Sequence, residues 1–140
     1  MDILDTLRIS ASGMTAQRVR LQAVASNMAN ARTTQTADGG PYERQMPVFK
    51  AQQVDRFGSM VERSMSRVAV VDIVADDDPG PMVYDPGHPD ADGEGYVQMP
   101  NVNVLEEMVD MMTTSRTYEA NASVVETTYD MARKALELSR

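Results

Sequence analysis

The residues best placed for chemistry are Asp85, His88, Asp90, Asp92 and Glu94, clustered within ten positions. Carboxylates at alternate positions followed by glycine, as in Asp90-Ala-Asp92-Gly-Glu94-Gly95, are how a calcium-binding helix–loop–helix supplies its first oxygen ligands. The bidentate glutamate that closes such a loop would fall at position 101, which is Asn101. Tyr96-Val-Gln-Met-Pro100 then reads as extended chain rather than as an exit helix. An acidic, solvated loop is the better reading, and no metal is expected.

Other chemistry has even less to work with. His88 is the only histidine and sits between Gly87 and Pro89, the setting of a turn; multi-histidine zinc sites need more. The absence of cysteine removes disulfides, thiolate metal sites and a thiol nucleophile. There is no phosphate-cradling glycine loop, dinucleotide fingerprint or Gly-x-Ser-x-Gly elbow. Asn121-Ala-Ser123 matches a glycosylation sequon but falls in the middle of a helical pattern. No nucleophile, base and oxyanion site assemble, so the sequence predicts neither an enzyme, nor a cofactor, nor a small-molecule substrate.

The elements that would carry any site are two long helices around a breaker-rich middle. Leu4, Leu7, Ala11, Met14, Arg18, Leu21, Ala25 and Met28 alternate by steps of three and four, the seam of a coiled coil. Asp2 is a candidate N-cap, and the pattern fades near Asn30. Val104, Met108, Met111, Ser115, Tyr118, Ala122, Val125, Tyr129, Ala132 and Leu136 repeat the alternation over the last forty residues. Pro100 precedes that helix, and Asn103 with Glu106 makes a candidate capping box. Neither helix can bury its stripe alone. They could pair as an ordinary antiparallel hairpin, or pack into neighbouring chains.

Residues 35–100 hold all seven prolines and seven of the eight glycines. Gly39-Gly40-Pro41 marks a turn, followed by strand candidates at Tyr42–Val54, Val68–Val74 and Met82–Tyr84, the second apolar enough to be buried. The expected fold is mainly α with a small β insertion. Its parts are an N-terminal helix in residues 1–34, a β-rich insertion in 35–100 and a C-terminal helix in 101–140. The three parts carry net charges of +2, −7 and −3, which disfavours nucleic acid and anionic membrane as partners. The chain is rich in methionine, with 12, a side chain that adapts to non-identical neighbours along helix seams. The acidic start, with no apolar core after it, does not read as a cleaved signal peptide.

The order of short motifs is distinctive. Ser12-Gly-Met-Thr-Ala-Gln-Arg18 followed by Ser26-Asn-Met-Ala-Asn-Ala-Arg-Thr-Thr34 resembles the N-terminal signature of flagellar rod and hook proteins, whose Ala-Asn-x-x-Thr element falls on Ala29, Asn30 and Thr33. Gly39-Gly-Pro-Tyr-Glu-Arg44, Asp85-Pro-Gly-His-Pro89 and Gly95-Tyr-Val-Gln-Met-Pro-Asn-Val-Asn103 resemble the proximal-rod members of that family. Glu107-Met-Val-Asp110, Ser115-Arg116 and Tyr118-Glu-Ala-Asn121 extend the likeness into the last helix. The signature positions are thus Ala29, Asn30, Thr33, Tyr96, Pro100, Asn101, Asn103, Tyr118, Glu119 and Asn121. The middle is more acidic than the family pattern, notably at Asp76–Asp78, which bears on surface charge contacts.

The resemblance implies a subunit of the flagellar rod, a tube built through terminal helices forming a coiled-coil-like D0-type core. It implies export through the type III apparatus, and a final place in the rod crossing the periplasm. The implied partners are other copies of the chain, other proximal and distal rod proteins, and the adaptor between rod base and MS ring. Subunit contacts are expected at Leu4, Leu7, Met14, Leu21 and Met28 on the first helix. On the last they are expected at Met108, Met111, Tyr118, Val125, Tyr129 and Leu136. A cytoplasmic, dimeric adaptor or export chaperone would share the acidity and the heptads, but not the motifs around Asn30 and Gly95.

Overall fold

The structure is a computed structural model that describes residues 3–37, 39–53 and 66–138. Helix α1 spans Ile3–Ala29 and helix α2 spans Val104–Leu138. Between them lie strands β1 (Gln45–Gln53), β2 (Ser66–Ala75), β3 (Met82–Tyr84) and β4 (Tyr96–Gln98). The molecule is therefore mainly α, with two small two-stranded sheets inserted between its terminal helices. The candidate cap Asp2 and the strand end at Val54 lie outside the described residues.

The helix ends follow local chemistry. Asn103 Oδ1 accepts the N–H of Leu105 at 3.1 Å, and its carbonyl accepts Glu107 N–H at 3.0 Å, so α2 starts on a side-chain cap. At the same end of the helical pair, α1 closes on the signature turn. Asn30 Nδ2 donates back to Ser26 O at 2.9 Å, Thr33 N–H donates to Asn30 O at 3.0 Å, and Thr33 Oγ1 donates to Asn30 Oδ1. These bonds satisfy carbonyls that a helix terminus would otherwise leave open.

The helices of one chain pair with each other as an antiparallel hairpin, fixed in register by Asn27 beside Glu107 and Gly13 beside Asn121. Their shared seam is not the apolar stripe. On α1 the buried residues are Ser10, Ala16, Ala23, Val24 and Asn27; on α2 they are Glu107, Thr114 and Thr128. Glu107, Thr114, Asn121 and Thr128 recur every seven residues, which is coiled-coil geometry written in polar and small side chains. Gly13 lets the backbones approach, since a Cβ there would lie 3.2 Å from Asn121 Nδ2.

Strands β1 and β2 form an antiparallel ribbon from Gln45↔Ala75 to Gln53↔Ser66, with a bulge that leaves Val71 unpaired opposite Val48/Phe49. The ribbon runs along α1, tied near one end by Asn27 to Gln45 and further along by Ser12 Oγ, which accepts Val68 N–H at 3.2 Å. Residues 42–44 stay out of the ladder because other partners hold them: Tyr42 N–H donates to Thr33 O, and Arg44 N–H to Asn101 Oδ1. The second strand is not buried as its composition predicts. Val71, Ile73 and Val74 are exposed, because the two strands lean on one helix and no second layer covers them among the described residues.

Strands β3 and β4 pair from Met82↔Gln98 to Tyr84↔Tyr96, with Val97 buried and the two tyrosine rings in edge-to-face contact at 5.2 Å. Gly80 is packed against the chain that leads to α2: a Cβ there would fall 1.8 Å from Met99 O.

Candidate assembly surface and the polar clasp beneath it

The acidic loop is built as turns. Asp92 Oδ1 accepts the N–H groups of Glu94 and Tyr96 at 2.9 and 2.8 Å, and Asp85 Oδ1 accepts Gly87 N–H at 3.2 Å. His88 Nδ1 accepts Asp90 N–H at 3.1 Å, and Asp90 Oδ2 accepts the Thr34 hydroxyl at 2.7 Å. These carboxylates are engaged in shaping the backbone, and no group of three or more potential metal-ligating side chains converges among the described residues. No helix among them is long and apolar enough to cross a membrane.

The polar residues that do converge lie where the hairpin meets the β insertion. Asn27, 1% exposed, donates through Nδ2 to Gln45 O (3.0 Å) and to Glu107 Oε2 (3.2 Å). Its Oδ1 accepts Gln45 N–H (2.8 Å) and the Tyr42 hydroxyl (3.0 Å). Glu107, fully buried, accepts Arg44 Nε–H at 2.7 Å through its other oxygen. One turn on, Arg20 grips Asp110 in a bidentate pair between α1 and α2. Asn101 completes the clasp: Nδ2 donates to Asp76 O and Asp78 O at 2.8 and 2.9 Å, and Oδ1 accepts Arg44 N–H at 2.8 Å. A buried charge is tolerated only when paired and hydrogen-bonded, and Glu107 meets both conditions. Two seam oxygens, Gln17 Oε1 and Thr114 Oγ1, are buried without a hydrogen-bond partner among the described residues.

The structure separates the predicted surface residues into two settings. Leu4, Met108, Tyr118, Tyr129 and Leu136 are exposed, whereas Leu7, Met14, Leu21, Met28, Met111 and Val125 are half-buried at the flank of the hairpin. At 100° per residue, Leu21 points opposite to Ser12, the residue that marks the ribbon side of α1. The apolar register of α1 therefore lies on the flank away from the ribbon.

Of the signature positions, Asn30, Thr33, Asn101 and Asn103 shape turns and caps, Pro100 is buried, Tyr96 packs on Tyr84, and Asn121 sits against Gly13. Ala29, Tyr118 and Glu119 are exposed. Sequence reasoning assigned no role to Arg20, Asn27, Arg44, Glu107 or Asp110. The available signal was a second heptad series of polar residues one helical step from the apolar one.

The fold is thus an antiparallel terminal-helix hairpin with a β insertion clasped to it and large apolar side chains exposed along its helices. Residues 7–34 match the family described as flagella basal body rod protein, and residues 94–138 match the C-terminal family of flagellar basal body rod FlgEFG proteins. Among curated relatives, a flagellar basal-body rod protein FlgC from Bacillus subtilis is 41% identical over the full length of both chains. One from Salmonella typhimurium is 40% identical over the full length of both, and one from Borreliella burgdorferi 38% identical over 99% of this chain and 98% of its own. The chain belongs to the FlgC family of flagellar basal-body rod proteins.

Proposed function

We propose that this chain is a structural, non-catalytic subunit of the proximal rod, polymerising through its terminal helices into the shaft that carries motor torque to hook and filament. The observation that carries the reading is the division of labour on the helices. The hairpin of one chain closes through small and polar residues and leaves its large apolar side chains, among them Met108, Tyr118, Tyr129 and Leu136, exposed. Contiguous apolar surface of this kind is costly in water and marks an interaction face. Each such side chain buried between neighbours contributes about 1.5–3 kcal/mol.

The proposed contact set is Leu4, Leu7, Met14, Leu21 and Met28 with Met108, Met111, Tyr118, Val125, Tyr129 and Leu136. Residues 1–34 and 101–140 act as the polymerising core, and residues 35–100 as the insertion that meets neighbours. The partners are further copies, other proximal and distal rod proteins and the adaptor at the rod base, reached after type III export without a cleaved signal peptide. The test is to purify hook–basal bodies from the source bacterium, identify the chain by mass spectrometry and locate it by cryo-microscopy. The reading requires it in the lower rod; clean basal bodies without it would overturn the reading.

A further inference from the structure

We infer that the open face of the β3–β4 ribbon is a docking site for an arginine-bearing segment of a different basal-body protein. The inference rests on the reading that residues 35–100 meet neighbours, and names the chemistry one such neighbour must bring.

The ribbon has two unlike faces. Pairing sets Met82 beside Gln98 and Tyr84 beside Tyr96 on one face, with Val83 and Val97 on the other. Val97 is buried, so its face is the inner one. Met82, Tyr84 and Tyr96 are 56%, 63% and 40% exposed, which leaves the opposite face uncovered among the described residues. The two rings meet edge to face at 5.2 Å, and Tyr84 Cε2 lies 3.0 Å from where a Cβ on Gly95 would sit. Gly95 has φ +84°, a conformation only glycine adopts freely, so the turn brings bare backbone under the Tyr84 ring. An exposed aromatic pair fixed in this way offers its π surface to a partner.

Charge narrows what that partner is. No lysine or arginine occurs from position 68 to 115, while Asp85, Asp92 and Glu94 stand in the turn that joins the two strands. Asp85 and Asp92 each use Oδ1 to shape the turn, and Glu94 makes no ion pair among the described residues. Arg44, the cation of the clasp, is taken by Glu107. A guanidinium answers both halves of such a surface, since its plane stacks on a tyrosine ring while its N–H groups reach a carboxylate. A second copy is the poorer occupant, because it carries a net charge of −8 and would meet like charge. The occupant is therefore a basic segment of another protein.

The test exchanges Tyr84 for a photo-cross-linking benzophenone amino acid in cells, one aromatic group for another at an exposed position. Basal bodies are purified after irradiation and the joined peptide is identified by mass spectrometry. The expected product is a peptide of a different basal-body protein with arginine beside the attachment point. A joined peptide without arginine overturns the chemistry, a peptide from a second copy overturns the choice of occupant, and incorporated rods with no product overturn the site. Glu94→Lys in the same background is expected to lower the yield several-fold, and an unchanged yield overturns the inference. Absence of the wild-type chain from basal bodies overturns the rod reading itself. Where the benzophenone variant is not incorporated, Tyr84→Ala and Tyr84→Phe decide. The alanine is expected to lower incorporation several-fold and the phenylalanine, which keeps a ring, to preserve it; equal incorporation of the two overturns the inference.

Discussion

Asn27 makes all four hydrogen bonds its amide can make, two through each end, while buried between helix, strand and loop. An alanine there would strand the N–H and carbonyl of Gln45, leave the Tyr42 hydroxyl only Ser26 Oγ at 3.1 Å, and remove one support of the Glu107 carboxylate. Each buried polar group left unpaired costs about 1–3 kcal/mol, so Asn27→Ala should lower stability by about 3 kcal/mol or more in urea unfolding. A loss below about 1 kcal/mol would mean that the clasp does not hold the insertion to the hairpin. Asn27 and Glu107 stand inside quoted motifs, yet a motif names residues without saying what they touch. The bonds that define the clasp join positions 80 and 63 residues apart, which no local pattern encodes. Asn30 and Asn103, whose partners lie within four residues, were legible as the end of one helix and the cap of the other.

At the scale of elements, periodicity located both helices because each buries a face at helical spacing. It could not say which face meets which partner. The large apolar residues draw attention, but the helices of one chain meet where Gly13 faces Asn121, Arg20 faces Asp110 and Asn27 faces Glu107, small or polar residues that carry little hydrophobic signal. Strand β2 misleads in the opposite sense: its Val and Ile content reads as core, yet Val71, Ile73 and Val74 are exposed, with no second sheet layer over them among the described residues. The start of α2 gives the prediction for this scale. Glu107 sits one turn after the Asn103 cap, so fraying there loosens the clasp. Asn103→Ala should cost about 1 kcal/mol and speed amide exchange in the first turn of α2, read by hydrogen exchange. Unchanged exchange from Leu105 to Glu107 would contradict the cap's role.

For the whole molecule, two kinds of surface answer two needs. A polar seam specifies one register for the hairpin, because a shifted register would leave Glu107 and Asp110 buried or half-buried away from Arg44 and Arg20. Apolar flanks then remain for association, where non-directional burial supplies most of the free energy. The high methionine content suits this arrangement, since Met108, Met112 and Met131 are all exposed and can adapt to non-equivalent neighbours.

The central claim, that the flank opposite the ribbon is an assembly face, is tested most directly by Leu21→Asp and Val125→Asp. Both residues are half-buried and outside the clasp, Leu21 at that flank and Val125 on the apolar register of α2. The measurement is the amount of each variant in purified basal bodies, relative to wild type at equal expression. A charge forced into a packed apolar contact costs several kcal/mol, so incorporation should fall to about a tenth or less, with swimming lost. Wild-type incorporation and normal swimming by both variants would contradict the account.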